Sequence, residues 1–183
     1  MTAYKGQYRF SFGPWNISEG ADPFGPPVRQ PVPLAKKIKL ARKLQFDLVQ
    51  FHDDDVVPEL DTKSATQIAK ETRKVRKMLS DEGLEAEFVA PRLWFAPETI
   101  DGAYTNNDPK CRRYAIARTK TAIDIANILG TRKIVLWLAR EGTYIRESKS
   151  AREQVLQIRD AINIFLEYDP NVLILIEPKP NEP

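Results

Sequence analysis

The sequence predicts an α/β fold in which about five parallel strands alternate with four helices, as in the N-terminal half of a (β/α)8 barrel. Three observations carry that prediction. Short, β-rich apolar runs alternate with longer segments of helical period, the pattern of βα units feeding a parallel sheet. Each expected strand is followed by a large polar or aromatic side chain, as at a barrel rim, whereas a doubly wound sheet concentrates its ligand at one crevice. Four and a half βα units occupy 183 residues, while a closed eight-stranded barrel takes about 250. Residues 1–183 are therefore expected to form one incomplete barrel domain with no second domain.

Taken in order, strand 1 is expected near Tyr8 to Phe12, with Trp15 beyond it. The proline-rich stretch Glu19 to Pro33 resists assignment and leads into a first helix with Leu34, Ile38, Ala41 and Leu44 on one face. Strand 2, Asp47 to Phe51, opens into His52 and Asp55. The second helix, about Ser64 to Glu82, carries Ile68, Val75, Met78 and Leu79 and stops at Gly83. Strand 3, Ala86 to Ala90, is followed by Trp94 and a long unassigned stretch, Arg92 to Asn107; long loops at such strand ends are usually functional. The third helix has a start signal in Asn107-Asp108-Pro109, a capping side chain before a first-turn proline, and a stop at Gly130. Strand 4, Lys133 to Leu138, brings Trp137 and Arg140 to the rim. The last helix aligns Val155, Ile158, Ile162 and Phe165, and strand 5, Val172 to Ile176, ends at Glu177 and Lys179.

Composition narrows the functional classes. The apolar fraction of 42% is that of a globular chain with a sizeable core. No apolar run is long enough to span a bilayer, and Met1 to Arg9 lacks the apolar segment of a secretory signal, so the expected address is the cytoplasm and no membrane partner is expected. The net charge is +3 and the pI near 8.9, but Lys and Arg interleave with Asp and Glu along amphipathic segments, which argues against a nucleic-acid groove. The single cysteine, Cys111, cannot form an internal disulfide and reads as a partly buried thiol without a function.

Chemistry concentrates at two strand ends. One is His52-Asp53-Asp54-Asp55, containing the only histidine; the other is Glu177-Pro178-Lys179-Pro180, where prolines present a carboxylate and an ammonium together. Two strand ends loaded with ionisable groups suggest one shared site, because barrels keep their chemistry at the C-terminal ends of their strands.

Several motifs run in order over nearly the whole chain: Arg9-Phe10-Ser11-Phe12-Gly13, Trp15, Asp22-Pro23-Phe24-Gly25, Phe51-His52-Asp53-Asp54-Asp55, and Asn107-Asp108 with Arg112-Arg113-Tyr114-Ala115. They continue with Trp137, then Arg140-Glu141-Gly142, and the terminal block Ile176 to Pro183. This series resembles the N-terminal half of the shorter, actinobacterial-type xylose (glucose) isomerases. The resemblance implies a tetrameric (β/α)8 barrel that opens a cyclic aldose and moves hydrogen from C2 to C1 as a metal-assisted hydride shift. D-xylose would become D-xylulose and D-glucose would become D-fructose.

By the same resemblance, His52 is the ring-opening histidine and Asp55 the carboxylate that orients it, roles that suit an imidazole titrating near neutrality and a tautomer-fixing acceptor. Glu177 is a metal-ligating glutamate in a site for two divalent cations, Mg²⁺, Mn²⁺ or Co²⁺, which polarise substrate oxygens. Lys179 contacts the carbonyl oxygen at C1, where an ammonium stabilises developing negative charge. Trp15, Trp94 and Trp137 wall the sugar pocket, and Phe24 reaches a neighbouring subunit's site. The chain departs from the family at Ala90-Pro91-Arg92-Leu93-Trp94, which lacks a pocket hydroxyl and an amide, and at Leu138-Ala139, which replaces two glycines.

The family's other metal ligands fall beyond strand 5. With Glu177 as the one matched ligand, the expectation is weak or no metal binding and no turnover by the 183-residue chain alone. The expected partners are an aldose, the C-terminal half of the barrel or a second copy, and a homo-oligomer. Two other readings stand: another metal-dependent sugar isomerase or epimerase barrel, and a non-catalytic half-barrel assembly fragment.

Overall fold

Period-two alternation decides which side of each strand is buried, and the helices follow by covering that side. The computed structural model describes residues 8–20 and 26–178. Its sheet consists of β1 (Ser11–Phe12), β2 (Leu48–His52), β3 (Glu85–Ala90), β4 (Lys133–Trp137) and β5 (Leu173–Glu177). Every neighbouring pair is parallel, in the order β1-β2-β3-β4-β5. A doubly wound sheet reverses its order at a switch point, and this sheet never does; it is the arc of a βα barrel. The helices are α1 (Leu34–Lys43), the single turn α2 (Asp53–Val56), α3 (Ala65–Asp81), α4 (Pro109–Leu129) and α5 (Ala151–Tyr168).

The core lies between sheet and helices. Val49 and Phe51 of β2, Val89 of β3, and Ile134 and Leu136 of β4 are buried on the helix side with Ile38, Val75, Ile123, Ile125 and Phe165. α4 packs against α3, α5, β3 and β4, which explains why its run of Ala115, Ala122, Ala126 and Leu129 is buried. Ser64 accepts a hydrogen bond from Gln67 N–H while the Gln67 side chain accepts from Ser64 N–H, a capping box that starts α3. Asp108 caps α4 with Pro109 at its first position, and Gly130 ends it at φ +94°, the left-handed conformation in which any larger side chain is penalised.

Several expectations are corrected. Strand 1 pairs over Ser11 and Phe12 only, leaving Tyr8 and Phe10 exposed, because Asp47 folds back and its carboxylate accepts Phe10 N–H at 3.1 Å. Leu44 and Val155, assigned by periodicity to buried helix faces, are exposed: Leu44 caps the end of α1, and Val155 lies outside the contact of α5 with the core. His52 and Glu177, expected just beyond their strands, are the last residues of β2 and β5. Between Val49 and Phe51 the register slips, so that two residues of β3, Glu87 and Phe88, lie opposite one of β2. This bulge turns both toward the inner face, where Glu87 accepts from Gln50 Nε2 at 2.9 Å and Phe88 borders a cavity.

The outermost strand is the least covered. Leu173, Leu175 and Ile176 of β5 are all about half exposed. Among the described residues, no helix is long and apolar enough to cross a membrane.

Candidate active site

The C-terminal ends of the strands enclose a cavity of about 290 Å³ lined by Trp15, His52, Phe88, Ala90, Arg92, Trp94, Val135, Trp137 and Glu177. Each wall has a local cause. Trp15 sits on the short 3-10 turn Pro14–Asn16 after β1 and folds over Gly13, whose missing side chain makes the contact possible: a Cβ there would lie 2.2 Å from Trp15 Cζ2. The Trp15 ring lies 4.3 Å from the His52 ring, His52 lies 5.1 Å edge-on to Trp94, and Trp94 lies 4.3 Å edge-on to Trp137. Glu177 faces Trp137 across the β4–β5 ladder. Among the described residues, none hydrogen-bonds its carboxylate.

His52 closes β2 and immediately precedes α2, so its backbone and ring are gripped together. Asp55 Oδ2 accepts the His52 backbone N–H at 3.0 Å and lies 3.1 Å from ring Nδ1. Burial works to raise the Asp55 carboxyl, but its contacts with His52 and the charge of Arg92 outweigh it and hold it below the usual range. The sign of the consequence follows. A carboxyl depressed in the folded state contributes stability that is complete above its unfolded value, about 3.9, and is lost as pH falls through the folded one. Asp55→Asn should flatten the acid limb of a stability-against-pH curve below about pH 4. Equal acid slopes for the variant and the parent would refute it.

Beneath the histidine lies a buried ionic layer. Asp53 is 0% exposed and accepts four N–H groups: the backbone of Asp54 at 2.9 Å, the backbone of Arg92 at 3.0 Å, and Arg118 Nε and Nη2 at 2.7 and 3.2 Å. Burial pushes its carboxyl up, against the pull of Arg118. Burial alone would lower the Arg118 guanidinium, and the hydrogen bonds and charge of Asp53 reverse this and hold it above its ordinary range. Arg118 Nη1 also donates to Asp61 at 2.8 Å and to the Tyr114 hydroxyl at 3.1 Å. Farther along the rim, the Glu141 carboxylate accepts backbone N–H groups of Ala103, Tyr104 and Thr105, tying the loop after β4 to the loop after β3.

The structure thus gathers Trp15, His52, Trp94, Trp137 and Glu177 around one cavity with Asp55 behind the histidine. Lys179 and Phe24 lie outside the described residues. Sequence reasoning missed three contributors: Asp53, Arg118 and Arg92. Arg92 Nε donates to Asp54 Oδ1 at 2.7 Å, and its Nη2 lies 3.0 Å from Asp55 Oδ1 and 2.7 Å from His52 Nδ1. One signal pointed there: three consecutive acids at a strand end need cations, and the end of the next parallel strand is the nearest place to supply one.

The ring of His52 and the carboxylates of Asp54 and Asp55 each offer a ligand atom, all within 4.8 Å of one another, a spacing that could hold a metal ion. The Arg92 guanidinium already stands among those three groups, and a divalent ion would have to displace it. Glu177 fits the part of a metal ligand better, as a hard oxygen donor on the cavity wall with no partner among the described residues.

Residues 38–183 match the family described as "Xylose isomerase-like TIM barrel". The chain is 32% identical over 185 aligned positions to a xylose isomerase of Thermus thermophilus, covering 98% of this chain and 47% of that protein. It therefore spans about half the length of that curated relative. Among solved structures, the probable 3-DHS dehydratase AsbF of Bacillus anthracis matches with a TM-score of 0.61 at 16% identity, covering 96% of this chain and 54% of that one. An L-ribulose 3-epimerase matches with a TM-score of 0.61 at 16% identity, covering 93% and 49%. At such identities the likeness is one of fold.

Proposed function

Because the chain belongs to the xylose isomerase-like TIM barrel family, we propose that it supplies the first five strands of a divalent-metal-dependent aldose–ketose isomerase. The substrates would be D-xylose, giving D-xylulose, and D-glucose, giving D-fructose. One observation carries the reading: the residues that resemble the family's ring-opening histidine, aromatic walls and metal-ligating glutamate line a single cavity at the C-terminal end of the sheet.

The chemistry follows from the side chains. A cyclic aldose offers an apolar C–H face that Trp15, Trp94 and Trp137 can pack against, and the same rings keep water from the reacting carbons. His52 turns Nδ1 toward Asp55 and Arg92, which leaves the Nε2 edge for the ring oxygen of the sugar. Asp55 anchors the His52 backbone N–H and shares the Arg92 guanidinium with the imidazole. Glu177 would hold a cation, which when bound acts as a Lewis acid on substrate oxygens. Lys179 would steady negative charge at C1. Conversion of an aldose to its ketose in the presence of Mg²⁺, Mn²⁺ or Co²⁺, by a complete barrel carrying this sequence and abolished by chelator, is the test. No conversion of any aldose under those conditions would refute the assignment.

The proposal extends to assembly. β5 leaves its outer backbone groups unpaired among the described strands and its apolar side chains half exposed, a template for further pairing. The partner would be the complementary half of the barrel or a second copy, with Phe24 reaching a neighbour and a tetramer as the complete form. Light scattering on the purified chain should show association at micromolar concentration; a sharply melting monomer would count against it.

A further inference from the structure

We propose that Arg92 is a positioning residue that fixes the tautomer of His52, placing the proton of the neutral imidazole on Nε2. Two groups compete for one ring nitrogen. Asp55 Oδ2, 3.1 Å from Nδ1, asks for a proton there; Arg92 Nη2, 2.7 Å from the same atom, asks for a lone pair. A guanidinium keeps all its protons at any pH the fold survives and can only donate. If Nδ1 carried hydrogen, two N–H groups would point at one another across the shorter of the two contacts. If Nδ1 is bare, Nη2 uses one hydrogen on Nδ1 and the other on Asp55 Oδ1 at 3.0 Å, while Nε–H goes to Asp54 at 2.7 Å. Asp55 Oδ2 is not left empty in that arrangement, since it still accepts the His52 backbone N–H at 3.0 Å. Only this assignment gives all three of these guanidinium hydrogens an acceptor.

The guanidinium is held for this task. Its own backbone N–H is anchored on Asp53 at 3.0 Å, and its Cζ lies 5.8 Å from the Trp94 ring and 5.7 Å from the Phe95 ring. The carboxylate behind His52 therefore does not set the tautomer by itself; it shares the guanidinium. The consequence is that His52 presents a hydrogen-bond donor to the cavity, suited to an acceptor such as the ring oxygen of a cyclic sugar. That consequence rests on the proposed function, whereas the tautomer does not.

The chain contains one histidine, so its imidazole gives a single, self-assigned signal. The experiment is a long-range ¹H–¹⁵N correlation spectrum of the 183-residue chain labelled with ¹⁵N-histidine, recorded at about pH 8.5, where an ordinary imidazole is neutral. The expected spectrum shows Nε2 protonated and Nδ1 bare. In Arg92→Gln the populations should reverse toward Nδ1–H, because Asp55 then has no competitor; in Asp55→Asn the Nε2–H form should persist. A wild-type spectrum with Nδ1 protonated overturns the proposal, and so does an Arg92→Gln spectrum identical to wild type. Should Arg92→Gln fail to fold, Arg92→Met, which also removes the cation, carries the same expected reversal and the same refutation. A complete barrel that converts no aldose would refute the proposed function and leave this result standing.

Discussion

Replacing Arg118 with methionine should cost about 3–5 kcal/mol of folding stability. The reason is the partner left behind. Asp53 is fully buried, and two of its four hydrogen bonds come from the guanidinium. Without Arg118, a carboxylate in the interior must either remain ionised without a counter-charge or take up a proton, and both are expensive. Asp53 also holds Arg92 N–H and Asp54 N–H, so the damage should spread to the ends of β2 and β3 that carry the site. Adding Asp53→Leu to Arg118→Met should recover only part of the loss, since those backbone groups would then have no acceptor. Urea unfolding of the two variants and the parent measures both effects; a loss below about 1 kcal/mol for the single variant would mean that the pair is not the brace described here.

In a complete barrel of the proposed isomerase, His52→Gln should lower turnover of cyclic aldoses by roughly 10² to 10⁴, the usual contribution of a positioned proton-transfer group. Its binding of Mn²⁺, followed by calorimetry, should barely change, because the imidazole lies against Asp55 and Arg92 and is no metal ligand in this reading. Glu177→Gln should do the opposite and weaken Mn²⁺ binding directly. A further contrast isolates ring opening. An aldose too short to close even a five-membered ring, glyceraldehyde, bypasses that step, so His52→Gln should convert it at nearly the parental rate. If the short and the cyclic sugars lose rate equally, or if the two variants exchange their effects on Mn²⁺, the roles are misassigned.

Much of the architecture was legible because strand pairing in a βα barrel is sequential. Once Val49, Phe51, Val89 and Ile134 are read as strand residues, their order in the sheet follows from their order in the chain. Helix limits were legible where capping chemistry is explicit, as at Asp108-Pro109 and Gly130. They were not legible where an apolar residue simply ends up outside the contact, as Leu44 and Val155 do. The tryptophans, His52 and Glu177 of the cavity lining could be anticipated one by one; Arg92 and the ionic layer behind it were not. Arg118 comes 65 positions after Asp53, and Arg92 comes 40 after His52. Only the packing of α4 against the sheet and the closeness of adjacent strand ends join such residues, and an arginine after strand 3 reads in the sequence merely as the loss of a hydroxyl and an amide.

The three tryptophans of the chain all stand in the wall of this one cavity, in a row broken only by the histidine. No tryptophan elsewhere dilutes their light. Tryptophan emission, which in most proteins averages over unrelated places, is here, when excited apart from the six tyrosines, an optical probe of the cavity alone, and the close edge-on pair Trp94 and Trp137 should add a near-ultraviolet circular dichroism signal. Entry of a ligand, movement of the rim loops and loss of the packing around His52 each become visible without any label attached.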